Sequence, residues 1–231
     1  MSIIKNKKIF FIISGILVAL SIASICYFGL NIGIDFKGGS LTEVEYKTAR
    51  PEQKVVEEQV KKLAYGEAII QPLGEVGYSI KTRAVSETER QALLGALGKD
   101  ATEKSFTSIG PSVGAELARK SVTSFILVSL SIVLFIAFSF RKVSEPVSSW
   151  RYGWITIVTL IHDIIIPVGA FAFFGHFYGA EVDTLFVVAI LTILGISIND
   201  TIVVFDRVRE NLKGFKNSSQ NLFAEIVGKS I

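Results

Sequence analysis

A single cysteine, Cys26, stands among 231 residues. No disulfide can form within the chain, and cysteine usage says nothing of the redox compartment. Histidines are as scarce: His162 and His176 stand without paired spacing, so no metal-ligand cluster is written into the sequence. The net charge is only +3 and no basic tract occurs, which argues against a nucleic-acid partner. No nucleophile has a plausible base beside it outside the apolar runs, so neither an enzyme nor a cofactor is expected.

What the chain has is apolar length. Half of its residues are hydrophobic, and they gather in four runs of bilayer-spanning size: Ile9–Leu30, Val122–Phe140, Gly153–Tyr178 and Thr184–Phe205. The first follows Lys5, Lys7 and Lys8, as a signal peptide would. Its apolar part exceeds the usual 7 to 15 or so residues of such a peptide, so it reads as a retained span.

Residues 31–120 are polar enough for a soluble domain inserted between spans. LTEVEY (Leu41–Tyr46) alternates as a half-buried strand does. Pro51–Ala64 carries Val55, Val56, Val60 and Leu63 at helical spacing. Ala68–Leu73 and Val76–Lys81 form a hairpin pattern around Gly74 and Glu75. Ser86 with Glu89 makes a capping box for a helix to Leu97, and Lys104–Ile109 closes the series as a strand. The order βαββαβ predicts a ferredoxin-like α+β domain with two helices on one face of an antiparallel sheet. Gly38-Gly39 and Gly110-Pro111 bracket it. Both pairs read as turns, Pro111 suiting the first turn of the next helix.

Arg141, Lys142 and Arg151 lie between the second and third runs, whereas only Glu181 and Asp183 lie between the third and fourth. The positive-inside rule then makes the N-terminus, the 141–152 loop and the segment after Phe205 cytoplasmic, with the soluble domain outside. The resulting plan is residues 1–30 for the N-terminus and first span, 31–120 for the external domain, 121–206 for spans two to four, and 207–231 for a cytoplasmic tail. That tail carries a short amphipathic surface helix built on Leu222, Phe223, Ile226 and Val227 behind Ser218 or Ser219.

Two polar intrusions interrupt the spans. Asn199 and Asp200 sit in the fourth, and His162 and Asp163 in the third, four residues before Pro167. An aspartate at bilayer depth costs at least about 2.5 kcal/mol on insertion scales and is a functional suspect by default. For Asp200 the alternative is snorkelling, since it lies roughly 24 Å into a core of about 30 Å. For Asp163 a proton or ion relay stands beside a local kink in which the pair satisfies itself or the carbonyls freed by Pro167.

IGIDFKGGS (Ile32–Ser40), IGPSVG (Ile109–Gly114), LIHD (Leu160–Asp163) and GISINDTIVVFDRVREN (Gly195–Asn211) together resemble the SecF side of the SecD/SecF family of bacterial protein-export membrane subunits, within the RND superfamily. The last motif includes Gly195, Asp206 and Arg207. The resemblance runs the length of the chain. It implies an α-helical membrane protein of RND/SecF-like fold, with four of the usual six transmembrane helices and an inserted ferredoxin-like extracytoplasmic domain. It further implies a multi-pass protein of the cytoplasmic (inner) membrane that works in the lipid bilayer with a SecD-like subunit, the SecYEG channel and the translocating preprotein, using the proton-motive force. Asp200 matches the family's in-membrane aspartate linked to proton conduction. The family's arginine partner lies in a fifth span, so the chain is expected to be C-terminally truncated at Ile231. An RND-type small-molecule exporter would need larger external domains, and a non-transporting membrane scaffold would need no buried aspartate.

Overall fold

The computed structural model describes residues 6–139 and 149–213. In chain order the elements are α1 (Lys7–Phe28), α2 (Ile34–Lys37), β1 (Gly39–Tyr46), α3 (Gln53–Lys62), β2 (Ile69–Leu73), β3 (Gly77–Thr82), α4 (Glu87–Leu97), β4 (Ala101–Ile109), α5 (Pro111–Ser139), α6 (Ser149–Tyr178) and α7 (Thr184–Lys213). They fall into two compact units, one from Ile32 to Ser121 and the other from the segments on either side of it. The surface helix expected after Ser218 and most of the 141–152 loop lie outside the described residues.

The Ile32–Ser121 unit is an α+β domain. Its sheet is antiparallel in the order β2-β3-β1-β4, so β3 lies between β1 and β2 in the split pattern that βαββαβ predicts. Alternation decides the faces. On β1, Ser40, Thr42, Val44 and Tyr46 are buried while Glu45 is exposed. Val56 and Val60 of α3 and Leu93 and Leu97 of α4 close over that face with Tyr78 and Ile80. Complete burial of a side chain such as Ile80 or Leu93 is worth roughly 1.5–3 kcal/mol. Val55 turns out to be exposed, and a register shift between Glu43 and Val44 lets β4 start at Ala101, ahead of the expected Lys104.

The two glycine-containing motifs meet within this unit. Gly38 has φ +78°, and a Cβ on it would lie 2.9 Å from Pro111 Cα. Gly39 likewise faces the Thr82 carbonyl, 2.8 Å from where its Cβ would be, and Gly114 lies against the backbone of Phe36 and Gly38. The turn before β1 is therefore seated on the first turn of α5. Pro111 opens that helix, where its missing N–H leaves no bond unmade.

In the other unit the helices α1, α6 and α7 are long and apolar enough to cross a membrane, as is α5, which begins eleven residues before the run at Val122 and so continues directly out of the domain. Outward positions such as Phe11, Leu20, Leu134 and Ile196 are exposed apolar residues, as lipid contact requires. Gly29, at φ 71°, ends α1. Between Phe205 and Gly214 no glycine or proline intervenes, so α7 runs beyond Phe205 through good helix formers to Lys213.

Side-chain contacts fix the helix directions. Ser24 Oγ donates to the Gly169 carbonyl at 2.9 Å, and Phe28 packs on Phe173, His176 and Phe177. Rising numbers on α1 thus match rising numbers on α6, and the two run parallel. Phe171 stacks on Phe186 while Asp163 meets Ser197, so α7 runs antiparallel to α6.

Candidate functional site

The polar atoms of the apolar unit converge on α6. His162 Nδ1 lies 2.8 Å from Asp163 Oδ1, and Ser197 Oγ donates to Asp163 Oδ2 at 2.5 Å. On the opposite side of the imidazole, His162 Nε2 lies 2.5 Å from Ser14 Oγ. Four side chains from α1, α6 and α7 thereby form one chain, Ser14–His162–Asp163–Ser197. His162 and Ser197 each sit thirteen residues into their helices, about 20 Å from the start. That places the cluster in the middle of the span.

With Asp163 ionised and His162 neutral, donors and acceptors can be assigned in only one way. The carboxylate accepts from Ser197 O–H and from His162 Nδ1–H, which leaves Nε2 to accept the Ser14 hydroxyl. Pro167 withholds an N–H from the carbonyl four residues back, that of Asp163. Ser21 and Ser24 of α1 donate to the α6 carbonyls on either side of the proline, Ile166 and Gly169. Asp163 and His162 side chains are 27% and 34% exposed.

Asp200 is placed differently. It lies one turn beyond Ser197 and, at 100° per residue, about 60° round from the face that packs on α6. It is exposed, and among the described residues it makes no hydrogen bond or ion pair. Asn199 is also exposed and faces away from α6, as does Gly195, around which an added Cβ would meet nothing within 4 Å. Asp206 and Arg207 are exposed two turns further along. The structure therefore joins Asp163 to neighbouring helices and leaves Asp200 on the open flank of α7. Among the described residues no group of three His, Cys, Asp or Glu side chains is placed to hold a metal.

Sequence reasoning passed over Ser14 and Ser197. A signal existed for the first: Ser14, Ser21 and Ser24 recur at spacings of seven and three, which places them on one stripe of α1. Ser197 had none.

Two family models match the chain. Protein export membrane protein SecD/SecF, C-terminal, covers residues 89–231, and the SecD/SecF GG motif covers 28–49. Among curated proteins, the protein translocase subunit SecF of Thermobaculum terrenum is 36% identical, over 90% of this chain and 69% of its own length. That of Calditerrivibrio nitroreducens is 33% identical, over 98% of this chain and 73% of its own. The crystal structure of SecDF, a translocon-associated membrane protein from Thermus thermophilus, matches with a TM-score of 0.81 at 27% identity; the match covers 100% of this chain and 30% of that one. A SecDF structure in the super-membrane-facing form matches with a TM-score of 0.59 at 29% identity, over 98% of this chain and 30% of its own.

Proposed function

The chain belongs to the SecD/SecF family of protein-export membrane proteins, and from that membership we propose that it helps a Sec channel draw preproteins across the cytoplasmic membrane, using the proton-motive force. A SecD-like subunit works beside it, and the SecYEG channel supplies the preprotein. The N-terminus is cytoplasmic, the side on which Lys7, Lys8 and Arg151 place their charges.

Asp200 carries this reading. An ionisable side chain within an apolar span, on a helix flank without a partner among the described residues, costs at least about 2.5 kcal/mol unless another group or a watery path meets it. A proton path gives that cost a use. The open flank gives a further span a place to bring the counter-charge.

The test is Asp200→Asn, which keeps size and most hydrogen bonding while removing the titratable site. In vesicles holding the chain with its SecD-like partner and channel, translocation driven by a proton gradient should fall while the complex assembles at its normal level. Full-rate translocation with asparagine at this position would remove the relay and leave a structural role.

A further inference from the structure

We propose that Ser14, His162, Asp163 and Ser197 form a one-proton store inside the membrane, a station distinct from Asp200. The proposal deepens the proton-driven reading above and depends on it for its use in transport; the proton binding itself is measurable without any secretion.

Two complete hydrogen-bonded states of the cluster follow from the same heavy-atom positions. In the first, Asp163 is a carboxylate that accepts from Ser197 and from His162 Nδ1–H, and Ser14 O–H donates to Nε2. A proton that reaches the cluster bonds to the Nε2 lone pair and makes an imidazolium. Nε2–H now donates to Ser14 Oγ, and the serine hydroxyl turns to a carbonyl of its own preceding helical turn, a common acceptor for serine in helices. The cluster passes from one net negative charge to none, and only a hydroxyl rotates. Because His162 and Asp163 are in direct contact, the stored proton belongs to the pair.

The surroundings make the store specific. On the elements packed against α6 at this level, the titratable groups of α1 are Lys7, Lys8, Cys26 and Tyr27, and those of α7 are Asp200, Asp206, Arg207, Arg209, Glu210 and Lys213. Asp200 is nearest by helical position. It lies three residues from Ser197, a separation of about 5–6 Å between Cβ atoms, which one bridging water can span. Lys8 is six residues from Ser14, about 9 Å along the axis. His176 is stacked on Phe28, has no hydrogen-bonded carboxylate among the described residues, and serves as an internal reference.

The experiment uses the whole chain in lipid nanodiscs with ¹⁵N-labelled histidine, its two imidazoles assigned by a His176→Gln variant. At alkaline pH His162 should show the Nδ1–H tautomer alone, and on acidification Nε2 should gain a proton while Nδ1 keeps its own. Asp163→Asn should lower the ratio of Nδ1–H to Nε2–H tautomer about tenfold, the weight of one charge-assisted hydrogen bond. Ser14→Ala should leave the tautomer in place but shift the Nε2 signal, and Ser14→Thr should restore it. An Nε2–H tautomer in the unmodified chain, or an Nε2 that never gains a proton between about pH 4 and 9, would overturn the store. If the His162 signals behave as described while Asp200→Asn vesicles translocate at full rate, the store stands and the relay reading falls.

Discussion

Ser21 on α1 and Gly169 on α6 bring the two helices into backbone contact: a Cβ placed on Gly169 would lie 2.3 Å from Ser21 Cβ and 2.4 Å from its Cα. Close approach at a small residue is how helices gain packing energy in lipid. The same crossing carries the Ser24 bond to the Gly169 carbonyl and, further along, the Ser14–His162 contact. Gly169→Ala should therefore push α1 away from α6 and destabilise the chain by about 1–3 kcal/mol, the usual cost of overpacking. Gly195→Ala meets open space and gains about 0.8–1.0 kcal/mol of helix propensity. Thermal unfolding of the purified chain in nanodiscs should lower the midpoint for the first variant and leave or raise it for the second.

Gly38 needs both its conformational freedom and its missing side chain. At φ +78° an alanine is strained by about 1–2 kcal/mol, and its Cβ would meet Pro111 Cα and N at 2.9 and 3.0 Å. Gly38→Ala should loosen the seat of the β1 turn on α5. Hydrogen exchange should then quicken at the β1 start and the α5 first turn, with the β2–β3 pair protected as before. Unchanged exchange at both segments would mean that the contact is not needed.

How much of this was legible beforehand depended on distance along the chain. Ser86 and Glu89 lie three residues apart, and the box they announce is present, with Glu89 N donating to Ser86 Oγ and Ser86 N to Glu89 Oε2. Alternation on β1 and the valines of α3 likewise declare a sheet and a helix that covers it. Apolar runs gave the spans, and Pro111 marked the first turn of α5 although polar turns separate it from the run at Val122. Ser14 and His162 are 148 residues apart, and no local pattern encodes which helices pack together. Hydroxyls are ordinary in spans, so Ser197 looked no different from Thr201, which merely bonds back to the Ser197 carbonyl.

The capping box of α4 has a defined pH dependence. Arg83 and the Ser86 backbone N–H hold the Glu89 carboxyl down at about 2, below its ordinary 4.5. A lowered folded-state value contributes stability that is fully present above about pH 4.5 and is lost as the pH falls toward 2. Protection of the first α4 amides from hydrogen exchange should therefore decline across that window, and in Glu89→Gln it should be flat there. Ser86→Ala should cost about 1 kcal/mol at any pH, read from the same amides.

Orientation can be argued from packing as well as from counting charges. Because α1 and α6 run parallel and α7 antiparallel to both, Lys7 and Lys8, Arg151, and Arg207 all fall at the same end of the three helices. By the positive-inside rule, these four basic residues make that side the expected cytoplasmic one. The chain leaves α1 at the other end and enters the domain that carries Lys99, so one labelled position assigns the sides of every packed helix. In a Cys26→Ser background, which removes the native exposed thiol, a membrane-impermeant maleimide should label Lys99→Cys in intact cells. Asn6→Cys should react only after permeabilisation. The reverse pattern would invert the whole bundle and put Asp200 near the external face.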